Sequence, residues 1–198
     1  INPETQVIPV NGSREALFSF VQAVIDPTKT NPVVVGPNPF YQIYEGGAIL
    51  AGATPRFLNG LPANHYAADP SQLPEDVWAS TQILITCSPG NPTGAVMGMK
   101  EWKTLFDLSD KYGFVIASDE CYSEIYFEEG KPPLGALDAA ARRRRPGRPP
   151  PGACPSCRRR GRGGGLVRHR GDQDAIQPHH RRHMSHECFQ VRLRPHHR

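Results

Sequence analysis

The sequence predicts a three-layer αβα fold of the α/β class, with a mainly parallel sheet, followed by a basic tail. Short apolar runs alternate with segments of helical periodicity, and this alternation favours parallel strands joined by right-handed crossovers. The run at residues 82–87 is apolar at nearly every position, as expected for a strand that is buried on both faces. The alternation stops near residue 138, which predicts a folded part, residues 1–138, and a tail, residues 139–198.

The individual elements follow from local signals. After Asn11-Gly12-Ser13, apolar residues at helical spacing predict a helix over residues 14–25, and Asp26-Pro27 ends it. β-Branched and apolar runs predict the strands. The other predicted elements are, in order, a strand at residues 32–36, a helix at 41–50, strands at 56–58 and 82–87, a helix around 102–108 and a strand at 114–117.

Two loops follow predicted strands and leave the sheet at the same edge. They are residues 87–94 and residues 117–122. Ligands of open parallel sheets bind beyond the carboxyl ends of the strands. The sequence therefore predicts that the functional site is built on these two loops.

Charge divides the chain at the same place as periodicity does. Residues 1–138 hold 7 Lys and Arg against 16 Asp and Glu, a net charge of −9, whereas residues 139–198 hold 16 Arg against 3 acidic residues, a net charge of +13. The tail is poor in apolar residues, so it buries too little surface to offset the entropy of ordering, and we expect it to be disordered. Without a run of 18 apolar residues, no membrane-spanning helix is predicted.

Four short motifs stand in the folded part. They are Asn-Gly-Ser-Arg-Glu-Ala-Leu-Phe at residues 11–18, Pro-Phe-Tyr-Gln-Ile-Tyr at 39–44, Ser-Pro-Gly-Asn-Pro-Thr-Gly at 88–94 and Ser-Asp-Glu-Cys-Tyr at 118–122. In this order the motifs resemble those of the class I/II aminotransferases, which are pyridoxal-phosphate enzymes of fold type I. The resemblance covers residues 1–138 and implies part of the family's large domain.

The resemblance also implies a function. Family members bind pyridoxal 5'-phosphate (PLP) and transfer an amino group between an amino acid and a 2-oxo acid, as cytoplasmic homodimers with active sites at the subunit boundary. Residues 36–41 look most like those of succinyldiaminopimelate aminotransferases of lysine biosynthesis. This narrower similarity suggests succinyldiaminopimelate and 2-oxoglutarate as the substrates.

By resemblance, two groups of residues hold the phosphate and the ring face of PLP. Gly12, Ser13 and Arg14 open a helix, where free N–H groups and the positive end of the helix dipole suit a phosphate. A plain N-cap is the alternative interpretation. Tyr41 is expected to stack on the ring, with Phe40 as the neighbouring alternative. Alternatively, these aromatic residues only pack in the core.

The remaining contacts come from the two loops. Asn91 and Tyr122 are expected to reach the phenolic oxygen of PLP, and Asp119 its ring nitrogen, where a carboxylate favours the protonated pyridinium. The alternatives are a bare turn at Asn91 and a solvated, helix-capping acid at Asp119. Tyr44 is either a packing residue or an active-site hydroxyl.

Three neighbours of these residues receive no cofactor role. Glu120 and Cys121 are predicted to be bystanders. Cys87 and Cys121 are predicted to be reduced thiols rather than a disulfide pair.

No catalytic residue is predicted in this chain. The family's Schiff-base lysine, which also moves a proton, lies in a Ser-x-Ser-Lys loop well downstream of the last motif. The last lysine here is Lys131, nine residues after Tyr122 in an unlike loop. The arginines that bind the phosphate and the substrate α-carboxylate have no counterpart either. We therefore expect a truncated chain that cannot transaminate, and we attribute the break near Leu137 to a change of reading frame.

Two other functions are open to the tail. Its arginines could bind nucleic acid as a basic arm of a non-catalytic fragment, but Phe189 is its single aromatic residue, so base stacking is poorly served. Four tail residues could nominally bind zinc. The stretch between the two Cys and the two His is longer than in the usual zinc finger, so no metal site is predicted. These residues are Cys154, Cys157, His179 and His183.

Overall fold

The structure, a computed structural model, describes residues 2–144 and the strand Phe189–Arg192. The helices are α1 (Pro3–Gln6), α2 (Ser13–Val24), α3 (Gln42–Leu50), α4 (Glu75–Ser80), α5 (Met99–Tyr112) and α6 (Ala136–Arg144). The strands are β1 (Val33–Asn38), β2 (Thr54–Asn59), β3 (Thr81–Cys87), β4 (Val115–Asp119) and β5 (Phe189–Arg192). Two 3-10 turns, Pro62–Asn64 and Pro70–Gln72, lie between β2 and α4.

The strands form one sheet in the order β2-β1-β3-β4-β5. The first four strands are parallel, and β5 pairs with β4 in the antiparallel direction. In the pairing of β3 with β4, Cys87 stands opposite Asp119. Both strands therefore end at the same level, and the loops that follow them start side by side.

Helices cover both faces of the sheet, because alternate side chains of each strand point to opposite faces. On one face, Val35, Leu84 and Ile116 pack in a core with α5 and α6. On the other face, Val34 and Ile85 pack in a second core with α2 and α3. The predicted three-layer αβα architecture with a mainly parallel sheet is confirmed.

Helix α5 is the main cover of the first face. Trp102 and Phe106 are fully buried and stacked, with ring centroids 5.7 Å apart. The indole N–H of Trp102 donates to the carbonyl of Leu134 at 3.0 Å and so holds the segment that leads into α6. The helix ends at Gly113, whose φ of 91° is readily adopted only by glycine.

Each helix and strand predicted from periodicity is present, with ends that differ by a few residues. Three helices, α1, α4 and α6, were not predicted from the sequence. α1 and α4 are four and six residues long, too short to show a helical repeat.

The predicted boundary at residue 138 falls inside α6, so the expectation of disorder is wrong for residues 139–144. Ala139 and Ala140 are buried in the core, and the guanidinium of Arg143 binds Asp107 and Asp110 of α5. The expectation is also wrong for β5. The other tail residues lie outside the described ranges, and so do the nominal zinc set and most arginines of the basic arm.

Among the described residues, no helix combines the length and the apolar character needed to cross a bilayer.

Candidate functional site

A cleft of about 710 Å³ opens at the carboxyl edge of the sheet, within the usual size range of small-molecule sites. The starts of α2 and α3 and the loops after β1, β3 and β4 surround it. All seven residues predicted to bind a cofactor line this one cavity: Gly12, Ser13, Arg14, Tyr41, Asn91, Asp119 and Tyr122. Other residues line it too, among them Glu15, Phe40, Tyr44, Cys87 and Cys121.

Asp119 is the most buried acid of the cleft, with 4% of its surface exposed at the end of β4. The hydroxyl of Tyr44 donates to Asp119 Oδ2 at 2.7 Å, and the backbone N–H of Cys121 donates to Oδ1 at 3.4 Å. A buried carboxylate is costly without such donors. Both oxygens of Asp119 are thus held by neighbours of the cleft wall.

Tyr44 packs in the core and also lines the cleft, so the two interpretations left open by the sequence do not exclude each other. Its ring belongs to the core under α3, and burial, followed by the nearby charge of Asp119, raises the pKa of its hydroxyl. The hydroxyl therefore stays protonated and acts as a donor. Its partner lies 75 residues further along the chain, a contact that helical periodicity does not reveal.

The loop after β3 brings Asn91 to Tyr122. The side-chain amide of Asn91 donates to the hydroxyl of Tyr122 at 3.0 Å, and burial raises the pKa of that hydroxyl. Two backbone bonds close the loop, from Gly90 N–H to the Ala95 carbonyl at 2.8 Å and from Gly94 N–H to the Gly90 carbonyl at 2.7 Å. Two polar groups from different loops thereby point into one cleft.

The start of α2 forms the opposite end of the cleft. Gly12 is the N-cap residue and offers no side-chain cap to the first N–H groups of the helix. A Cβ at Gly12 would lie 2.7 Å from Glu15 Oε2, so glycine leaves room for that first-turn carboxylate. The Nε of Arg14 donates to the hydroxyl of Tyr41 at 2.5 Å, and its guanidinium carbon lies 5.9 Å from the centroid of that ring.

The two aromatic candidates differ in their surroundings. The ring of Phe40 stacks on Phe57 of β2, with centroids 4.5 Å apart. The ring of Tyr41 meets Tyr44 edge-on, with centroids 6.0 Å apart, and is held by Arg14. Phe40 thus packs towards the sheet edge, whereas Tyr41 bridges α2 and α3 across the cleft.

Cys87 and Cys121 both line the cleft, and both are thiols rather than a disulfide pair, as predicted. Burial raises the pKa of the Cys87 thiol. Among the described residues, no lysine lines this cleft, and Lys131 lies exposed in an ion pair with Glu128. Within the same ranges, no cluster of three His, Cys, Asp or Glu side chains could hold a metal ion.

Comparison with known proteins gives consistent results. The sequence profile of the family described as aminotransferase class I and II matches residues 1–143. The chain is 38% identical over 145 residues to the LL-diaminopimelate aminotransferase of Aquifex aeolicus. This match covers 71% of this chain and 37% of that relative. An aminotransferase structure from Neisseria meningitidis matches with a TM-score of 0.70 at 52% identity, over 73% of this chain and 36% of that one. The structure of the aminotransferase AspB from Helicobacter pylori matches with a TM-score of 0.58 at 37% identity, over 65% of this chain and 33% of that one.

A layered sheet with a polar cleft at its carboxyl edge is typical of ligand-binding α/β domains. The profile match over most of the chain identifies it: this protein belongs to the class I and II aminotransferase family, whose members depend on PLP and use amino acid and 2-oxo acid substrates. The chain spans a little over a third of the length of the relatives it matches, 37% for the Aquifex enzyme.

We predict that Tyr44→Phe lowers the free energy of unfolding by about 1–3 kcal/mol, because it leaves a buried carboxylate oxygen of Asp119 without its donor. Urea unfolding of the purified chain measures this. Tyr112→Phe is the matched control, since its hydroxyl donates to Glu75 at the surface, and it should change stability by less than about 0.5 kcal/mol. Equal stabilities of Tyr44→Phe and the wild type would contradict the role of this bond.

Proposed function

We propose that this chain is the PLP-binding part of an aminotransferase large domain and that the cleft binds PLP. One observation supports the proposal most. Seven residues chosen from four separate motifs line one cavity, although Gly12 and Tyr122 stand 110 residues apart in the sequence. Chance placement of unrelated turns and caps would not bring them together.

The donor set at the α2 end fits the phosphate. Gly12 leaves the N–H groups of the first turn without a side-chain cap, and such groups, with the helix dipole, bind anions. Ser13 adds a hydroxyl, and Arg14 adds a positive charge on the same wall. Arg14 also donates to the hydroxyl of Tyr41. One side chain therefore links the proposed phosphate end of the cleft to the proposed stacking residue.

The donor set at the β4 end fits the pyridine ring. When bound, PLP supplies an electron sink for the bonds at the substrate α-carbon. The Asp119 carboxylate would hold the proton on the ring nitrogen through a charge-assisted hydrogen bond. Tyr44 keeps Oδ2 of that carboxylate occupied and so fixes its orientation.

The remaining residues fit the edge and face of the ring. Asn91 and Tyr122 already bond each other, and together they would donate to the phenolic oxygen. Tyr41 would stack on the ring face. We favour Tyr41 over Phe40, because Phe40 is stacked on Phe57.

We further propose that the substrates belong to the diaminopimelate class. Curated relatives of the chain are LL-diaminopimelate aminotransferases, and residues 36–41 resemble succinyldiaminopimelate aminotransferases. The reaction proposed for the whole protein is amino transfer between such an amino acid and a 2-oxo acid, in lysine biosynthesis.

Equilibrium dialysis against PLP and against pyridoxal, which lacks the phosphate, tests the two ends of the cleft separately. Ser13→Ala should weaken PLP binding by about tenfold and leave pyridoxal binding unchanged, because the lost hydroxyl bonds a charged group. Asp119→Asn should weaken both ligands by about tenfold, because it removes the charge opposite the ring nitrogen.

Ser19→Ala, an exposed position on the same helix, is the control and should bind both ligands like the wild type. If the wild-type chain binds PLP no better than pyridoxal, the anion site is wrong. If Asp119→Asn binds both ligands normally, the ring site is wrong.

We also propose that the chain as written does not transaminate, since its sequence holds no Ser-x-Ser-Lys motif and the reaction needs a lysine that moves a proton. The purified chain, saturated with PLP and supplied with an amino acid and 2-oxoglutarate, should form no glutamate. Turnover that depends on the amino donor would refute this.

A change of reading frame near Leu137 remains our proposal for the origin of the Arg-rich tail. Off-frame GC-rich coding sequence yields Arg, Pro, Gly, Ala and His, the residues that dominate there. Resequencing the locus should reveal a Ser-x-Ser-Lys-like loop in another frame downstream. Two alternative frames without such a loop would disprove the idea.

A further inference from the structure

Glu120 is a buried acid that does not line the cleft. Only 3% of its surface is exposed, and it directly follows Asp119 in the sequence. Its side chain is absent from the cleft lining and contacts residues at the start of α6 instead. A buried carboxylate is tolerated only where donors compensate for its lost hydration, so the contacts of Glu120 indicate what it does.

Two donors meet at one oxygen of Glu120. Its Oε1 accepts from the hydroxyl of Ser118 at 2.8 Å and from the backbone N–H of Ala136 at 2.7 Å. Its Oε2 lies over Gly135, where a Cβ would approach it to 2.5 Å. Because Gly135 has no side chain, the Glu120 carboxylate has room at this position.

The start of α6 is itself firmly held. Ala136 and Ala139 are buried in the core, and the indole of Trp102 binds the carbonyl of Leu134. The first N–H groups of a helix lack intrahelical partners and favour a negative charge. Glu120 supplies that charge from another part of the chain.

The 119–122 turn carries three residues that line the cleft, Asp119, Cys121 and Tyr122. Its backbone is closed by the N–H of Ser123, which donates to the Glu120 carbonyl at 3.1 Å. Glu120 thus stands between Asp119 and the other two cleft residues. Its main chain lies in the turn, and its carboxylate accepts from the start of α6.

We propose that Glu120 is a positioning residue for PLP, which fastens the 119–122 turn to α6 and so aims Asp119 and Tyr122 into the cleft. This inference rests on the proposed PLP site. It assigns a role to a residue for which the sequence predicted none.

The test compares three variants of the full chain by PLP affinity in equilibrium dialysis. Glu120→Ala removes the acceptor and should weaken PLP binding by about tenfold, the effect of misplacing one charge-assisted hydrogen bond. Glu120→Gln keeps an oxygen for Ser118 and Ala136 and should stay within about threefold of the wild type. Ser109→Ala loses a buried hydrogen bond from its hydroxyl to the Phe114 carbonyl, just before β4, and should bind PLP normally.

Amide hydrogen exchange over residues 119–126 gives a readout that does not depend on PLP. Glu120→Ala should speed exchange in this segment, whereas Ser109→Ala should not. If the wild type does not bind PLP, the proposed function fails, and the exchange data alone then judge the fastening role of Glu120.

Gly135→Ala supplies a second route to the same result. Its added methyl group should displace the Glu120 carboxylate and weaken PLP binding towards the level of Glu120→Ala. In the double variant, Glu120→Ala with Gly135→Ala, the added methyl group meets no carboxylate. PLP affinity should therefore fall no further than in Glu120→Ala alone.

Three outcomes would overturn the inference. They are normal PLP affinity in folded Glu120→Ala or in Gly135→Ala, an equal loss of affinity in Ser109→Ala, and unchanged exchange in residues 119–126 of Glu120→Ala.

Discussion

The parallel pairing of β3 with β4 is the constraint on which the cleft depends. Cys87 and Asp119 stand opposite each other at the ends of these strands, so the loops that carry Asn91 and Tyr122 leave the sheet together. Buried pairs further down, such as Leu84 with Ile116, fix this register. A slip of one residue would turn Asp119 to the α5 face, because side chains alternate between the two faces of a strand.

Two adjacent carboxylates, Asp119 and Glu120, are buried at this point, and different layers of the fold stabilise them. Tyr44 of α3 donates to Asp119 on one side of the sheet. The start of α6 donates to Glu120 on the other side. Burial, the largest cause, and the nearby charge of Asp119 raise the pKa of Glu120. Both helical layers thus donate hydrogen bonds to carboxylates at the end of β4.

Much of the fold and the cleft could be predicted from the sequence, because both rest on local patterns. Apolar periodicity located α2, α5 and the strands, and the motif residues share the cleft. Longer-range contacts could not be predicted. The bond of Tyr44 to Asp119 joins residues far apart, Glu120 has no local feature that points to α6, and α6 is rich in Ala and Arg, a composition that resembles the tail.

The family match spans residues 1–143 and so includes every residue that lines the cleft. The central claim is that one PLP molecule joins the start of α2 to the end of β4. A crystal structure of this chain grown with PLP tests the claim most directly. We expect the phosphate on the N–H groups at Gly12 and Ser13, and the ring nitrogen within hydrogen-bond distance of Asp119. Density for PLP in the reverse orientation, or only outside this cleft, would contradict it.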